Sequence, residues 1–406
     1  MRKRTILTLI LLLALFLYTG AGAESSRPTG ARLPTAANEN TTTEAFFANG
    51  TPITIREPKA DTEGMIHDAE VQAGLANGLS AEKKPGNGAT ICWEEADGTH
   101  YVYVSGHSKV FGGSLNADVQ ADIQITVIGQ HVRKSFPNVS FLFGGGYRGD
   151  VIGNISISLE ESQMMYVYGG GYNGSVTGDV RITSTGSNWS LDLVGGGLAS
   201  SMTEDAVADV GGSVTLDLKG VMISYMDTLV AGGLAQAISE HAAQANVGGS
   251  VTLYAEGRNV YQLCGGGEAF RMEETCGHPT ANVAGGVSVE LRDSRIRYYQ
   301  QGKVTLLGGV FGGGLGYYGT ATVGGDISVT VADTVFDEQA LGVVLGGMAE
   351  GDTALADVAG SAAGRILSGA NPANVVRGCI EHDGGAAEVK GDVDWSYTLA
   401  DGLTDY

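Results

Sequence analysis

The chain has 406 residues, a formal charge of −21 and 64 glycines, about twice the usual glycine share. Its 45 acidic residues against 24 basic ones repel phosphate backbones, and no basic stripe interrupts them, which excludes nucleic acid as a partner. Four cysteines are too few for a disulfide scaffold, and no CxxC pair or His-Cys cluster suggests a metal site.

Arg2, Lys3 and Arg4 precede an apolar run from Ile6 to Tyr18 and the small-x-small sequence Ala21-Gly22-Ala23. That order predicts a secretory signal peptide over 1–23, because the run is too short for a membrane span and ends at a cleavage signal. No later stretch reaches spanning length, so the expected location is extracellular or at the cell surface, with no membrane span after cleavage. Residues 24–49, rich in Thr, Ala, Asn and Pro, read as a flexible leader. Residues 50–106 read as an N-terminal cap: a strand at Thr51 to Ile55, a short helix over Ile66 to Leu79, a polar turn from Lys83 to Gly88, and a hairpin over 89–104 turning at Asp97-Gly98. Such a cap covers the unpaired strand edges at the open end of an array.

From 107 to 397 one phrase, small-x-Val-x-Gly-x-Val-x-Leu-x-Leu, recurs nine times at steps of 25 to 40 residues, starting at Ala117, Gly149, Gly174, Ala208, Ala245, Ala281, Ala321, Ala356 and Ala387. Each unit is too short to bury its apolar side alone, so the units must stack. Within a copy, Val251, Leu253 and Ala255 alternate with Ser250, Thr252 and Tyr254, the period of a strand with one dry and one wet face. The last two copies put Gly364 and Trp395 in a column otherwise aliphatic, as a terminal cap or fraying end does. A second phrase, VFGGS at Val110 or LFGGGY at Leu142, precedes the copies, and its first position is aliphatic in all eight occurrences. That predicts a second inward column followed by a glycine corner. The expected fold is all-β: a single-stranded parallel β-helix, or β-solenoid, of about nine coils, right-handed by the usual hand of parallel crossovers. Residues 398–406 form a C-terminal tail.

Two surfaces are open to a ligand. One is the wet face of the repeated strand, rich in Ser and Thr. The other is made by the loops after the glycines, which leave successive coils at one corner and carry Tyr147, Tyr172, Glu204, Asp205, Glu240, His241, Glu268, Glu273, Glu274, His278, Tyr317, Tyr318 and Glu350. Variable loops on a regular scaffold are where binding sites usually arise, and carboxylates beside tyrosines suit sugar hydroxyls and C–H faces. Cys264 and Cys276, twelve positions apart at the two ends of one inter-repeat loop, are as open to joining in an oxidising exterior as to staying free.

The signal sequence, the Gly-Gly-Gly corners and the Val-x-Gly-x-Val strands together resemble the secreted, Gly-rich β-solenoid proteins of bacteria, many of them adhesin-like. The resemblance covers about Val110 to Tyr397 and implies a non-enzymatic protein that binds a glycan or cell-surface partner through the post-glycine loops. Two other readings stay open: a polysaccharide lyase or glycoside hydrolase using paired carboxylates on the same loops, and a structural spacer or matrix protein. No cofactor is expected; calcium is conceivable on charge but has no motif behind it.

Overall fold

The computed structural model describes residues 45–56, 90–94, 98–104, 108–129, 139–162, 164–186, 190–220, 226–301, 304–306, 308–367, 369–372, 374–397 and 404–405. The expected signal peptide, most of the leader, the helix over 66–79, the turn at 83–88 and the tip of the hairpin lie outside the described residues.

The nine phrases form nine long strands, Ile123–Ile128, Ile155–Glu160, Val180–Thr185, Val214–Leu218, Val251–Glu256, Val287–Arg292, Ile327–Ala332, Ala362–Ile366 and Val393–Tyr397, which pair in chain order. Every pairing between them is parallel and in register, so Ile157, Ile182, Leu216, Leu253, Val289 and Val329 stack as one column. Parallel register follows from the sequence. A slip of one residue would turn each aliphatic side chain outward. The strands that precede the glycines form a second sheet, and those that follow them, Leu198–Ser201, Leu234–Ala237, Glu268–Arg271, Leu315–Tyr317, Met348–Glu350 and Ile380–His382, form a third. No helix occurs among the described residues. The molecule is a parallel β-solenoid.

The pre-glycine sheet differs from expectation in being buried on both faces. Val110, Leu142, Val167, Leu193, Leu229 and Leu263 point into the main core, as the sequence pattern predicts. Their neighbours Phe111, Phe143, Tyr168, Val194, Val230 and Cys264 point the opposite way and are buried too, in a second core. The chain after each glycine corner folds back over that side and brings Tyr172, Leu198, Leu315 and Met348 against it. At the N-terminal end the second core is an aromatic ladder, with ring centroids 5.0 Å apart for Phe47 and Phe111, 4.7 Å for Phe111 and Phe143, and 4.7 Å for Phe143 and Tyr168. A third, narrow core of alanines, among them Ala199, Ala208, Ala235, Ala245 and Ala281, fills the lobe beyond the corner.

The glycines are dictated by backbone contact between coils. A Cβ on Gly170 would lie 2.8 Å from both N and Cα of Gly197 in the next coil. One on Gly197 would lie 2.5 Å from the carbonyl oxygen of Ala208. Ala208 opens the nine-fold phrase, so the same close approach accounts for the third glycine and for the small residue with which each phrase begins.

Both ends depart from the regular coil. The leader was expected to run to Asn49, yet Ala45–Phe47 already pairs parallel with Lys109, Val110 and Phe111, and Ile53–Arg56 pairs with Ile125, Thr126, Val127 and Ile128. These residues are a partial first coil. The hairpin strands Thr90–Glu94 and His100–Val104 are antiparallel, and the second continues the long-strand sheet beside Ile53–Arg56. At the other end Gly364 makes room for Trp395, whose ring occupies the place a Cβ on Gly364 would take. The two columns that look degraded in sequence are thus one fitted pair.

Candidate functional site

Most of the conspicuous polar positions in the repeat are structural. The residue before most of the long strands accepts, through its side-chain oxygen, the backbone N–H of its counterpart in the next coil; Gly286 interrupts the ladder. Asp122 Oδ1 accepts from Asn154 N at 2.7 Å, Asn154 Oδ1 from Asp179 N at 2.9 Å, Asp179 Oδ1 from Ser213 N at 2.7 Å, and Ser213 Oγ from Ser250 N at 3.1 Å. A second ladder uses the residue after the small one: Asp150 Oδ1 accepts from Ser175 N at 2.8 Å, Asp209 Oδ1 from Asn246 N at 2.7 Å, Asn246 Oδ1 from Asn282 N at 2.8 Å, and Asn282 Oδ1 from Thr322 N at 2.8 Å. The sharp bends beside the long strand leave N–H groups that neighbouring carbonyls do not reach, and short acceptor side chains supply the missing partner. This explains why Asp, Asn and Ser recur there, and it removes these columns from the ligand face.

The post-glycine lobe divides the sequence candidates into buried and exposed groups. Tyr172 is only 2 % exposed and belongs to the second core; Tyr147 stacks on it at 5.1 Å with the rings 17° apart. The expected role of Tyr172 as a ligand platform is corrected, because the fold-back of the lobe spends its ring on packing; Tyr147 is half-buried above it. Tyr317 is half-buried beside Phe270, and burial together with the charge of Glu268 lifts its hydroxyl well above the usual tyrosine range. Tyr318 has a left-handed backbone, φ 56°, and its ring lies over Gly351.

Glu204, Asp205, Glu240, Glu273, Glu274 and His278 are exposed and His241 is half-exposed. They occupy the outer edge of the lobe in three consecutive coils, the ones with the longest excursions. Contacts run between coils: Arg148 Nη2 meets Glu204 Oε1 at 3.2 Å, His241 Nδ1 stands 3.6 Å from Asp205 Oδ1, and that oxygen accepts from Ala242 N at 2.9 Å. His278 Nε2 lies 2.8 Å from Thr320 Oγ1, while burial and the charge of Arg271 hold its imidazole below the usual histidine value.

Cys264 and Cys276 are both free thiols. The disulfide left open by the sequence is not formed, because the two residues serve different cores: Cys264 stacks between Val230 and Phe311 in the second, and Cys276 packs against the alanines of the third. Burial and the Glu268 charge push the Cys264 thiol well above its usual value, so it is held protonated.

Glu268 stands apart from the other acidic residues. Its column on the post-glycine strands reads Leu198, Leu234, Glu268, Leu315, Met348, Ile380, so a carboxyl replaces an aliphatic side chain facing the second core. It is 7 % exposed, and burial pushes its carboxyl up to about 7. Nearby on the same sheet Gln236, 2 % exposed, has an Nε2 without a hydrogen-bond partner, and the buried Tyr168 hydroxyl has none either. The sequence carried the signal for Glu268, since it follows Leu263-Cys264-Gly-Gly-Gly where other coils place Tyr, Leu or Met. Reading that position as a solvated loop hid it.

A glycosidase needs two carboxyls across the scissile bond, one with a raised pKa. Glu268 has the raised pKa, but the titratable groups its charge acts on are Tyr168, Cys264 and Tyr317, and it faces a packed core. On the ridge, exposed carboxylates such as Glu240 and Glu273 can accept hydrogen bonds from hydroxyl-rich ligands.

The chain matches no protein-family model, no curated protein and no solved structure. The class it belongs to is therefore defined by its own geometry, a repetitive parallel β-solenoid whose coils carry a variable lobe beyond a glycine corner.

Proposed function

We propose that the chain is an exported, non-catalytic binding solenoid of the adhesin-like kind, which recognises a glycan or a cell-surface partner through the edge of its post-glycine lobe. One observation carries this reading: three consecutive coils present Glu204 and Asp205, Glu240 and His241, and Glu273 and Glu274 along one ridge, cross-linked by contacts from Arg148 and His241. Strands about 4.8 Å apart repeat these groups at a spacing that an extended chain of sugar rings can follow. The amino-terminal pattern of Arg2 to Arg4, an apolar run and Ala21-Gly22-Ala23 supports export. No helix of the described residues is long and apolar enough to cross a membrane.

The test is a panel of neutral and acidic polysaccharides and intact cell surfaces, probed with the labelled chain and with a Glu204→Ala, Glu240→Ala, Glu273→Ala variant. The triple variant is expected to lose binding while melting at the wild-type temperature. Binding to nothing on the panel, or equal binding by both proteins, overturns the proposal. Release of reducing ends or unsaturated sugars from any polysaccharide replaces it with an enzyme.

A further inference from the structure

We propose that Glu350, His382 and Asp383 form a site for a borderline divalent metal ion, zinc before calcium, that ties the coil ending at Ile380–His382 to the coil before it. Glu350 and His382 are register partners on adjacent post-glycine strands, so their side chains leave the sheet on one face. Asp383 follows directly at the bend. One ligand atom from each of the three lies within 4.8 Å of the other two.

Two further observations favour a cation at this place. His382 Nδ1 is shut off from solvent and makes no hydrogen bond, though it stands 3.3 Å from Asp383 Oδ2. The Glu350 carboxylate has neither a hydrogen bond nor an ion pair among the described residues. Several other carboxylates of the array have a basic side chain, as in Arg148–Glu204 at 3.2 Å, Arg295–Asp337 at 2.6 Å and Lys390–Asp357 at 2.8 Å. Here two carboxylates converge on one imidazole, an arrangement that a dication relieves.

The donor set selects the metal. Calcium takes six to eight oxygens and has no use for an imidazole, whereas one nitrogen and two carboxylate oxygens suit zinc. Tetrahedral ligands at about 2.0–2.2 Å stand roughly 3.5 Å apart, so side-chain rotation of about 1 Å closes the set. Three protein ligands leave a fourth position for water or for a group of a bound partner. The location also gives the site a purpose. Coils near the end of a solenoid have fewer neighbours to hold them, and a metal shared between adjacent coils binds the folded end and not the unfolded chain.

Zinc chloride titrated calorimetrically into the full chain, after treatment with EDTA and dialysis, tests the proposal. One zinc ion per chain is expected to bind with a micromolar Kd and to raise the melting temperature. His382→Ala and Glu350→Gln should each weaken zinc binding at least about tenfold and leave the metal-free melting temperature unchanged. Should His382→Ala fail to fold, the exposed Asp383→Asn decides in its place. No saturable zinc binding, wild-type affinity in the variants, or tighter binding of calcium than of zinc overturns the assignment.

Discussion

The bend that leads into the long strand and the lobe that follows the glycines belong to the same coils, yet one repeats and the other does not. At the bend each coil must satisfy the same backbone groups, so Asp122, Asn154, Asp179 and Ser213 solve one problem with interchangeable acceptors. At the lobe the backbone contacts are met by Gly197 and Ala208, and what lies between them is free to vary in length and charge. A repeat therefore marks where coils must agree, and its interruption marks where a coil can acquire a role of its own.

The sharpest way to break this contrast is to attack the core that the long strands share. Leu216 is fully buried between Ile182 and Leu253. Leu216→Ala should cost about 4 kcal/mol, because stacked neighbours held by register cannot collapse into the gap. Urea unfolding measures it, and a loss below about 1 kcal/mol would mean that the columns are loosely packed.

A somewhat smaller effect is expected from a buried acid of the lobe, Glu268. With its folded pKa at about 7 and its usual value at 4.5, Glu268 keeps a proton in the folded chain through a window where the unfolded chain has released it. Its contribution is whole below the lower value and disappears as pH rises through the higher one, a loss of at most about 3 kcal/mol. Glu268→Gln should therefore be more stable than wild type at pH 8 by about 2 kcal/mol and indistinguishable from it at pH 4. Parallel stability-versus-pH curves for the two proteins would show that Glu268 is not buried as described.

How much of this was legible in the sequence depends on which physical rule wrote each residue. The long strands and the inward column from Val110 to Val343 were readable because alternation is a local consequence of one wet and one dry side. The second core was not. Phe111 and Phe143 are apolar neighbours of glycine, and only the fold-back of the lobe, a tertiary event, says that they are covered. The same event hid Tyr172 and Glu268, which look like loop residues until the lobe closes on the sheet. Trp395 and Gly364 read as decay because each breaks the pattern alone; side by side they preserve volume. The carboxylates Glu204, Glu240, Glu273 and Glu274 are exposed, as charge in a long excursion implies without tertiary information. The convergence of His382 and Asp383 on Glu350 depends on register between coils and leaves no mark in a single repeat.

The smallest predicted effect asks what the bend requires. Asp179 is exposed and its Oδ1 accepts from Ser213 N at 2.7 Å, so Asp179→Ala should cost about 1 kcal/mol, the worth of one side-chain acceptor on an otherwise orphaned N–H. Ser250 receives the same service from Ser213 Oγ at 3.1 Å, which shows that a hydroxyl reaches as well as a carboxylate. Asp179→Ser should accordingly recover most of the loss, to within about 0.5 kcal/mol. If the serine variant is as unstable as the alanine one, charge and not acceptor geometry holds the bend. The ladder would then weaken in salt, and the acidic character of the whole array would have a structural origin instead of marking a surface left free for other uses.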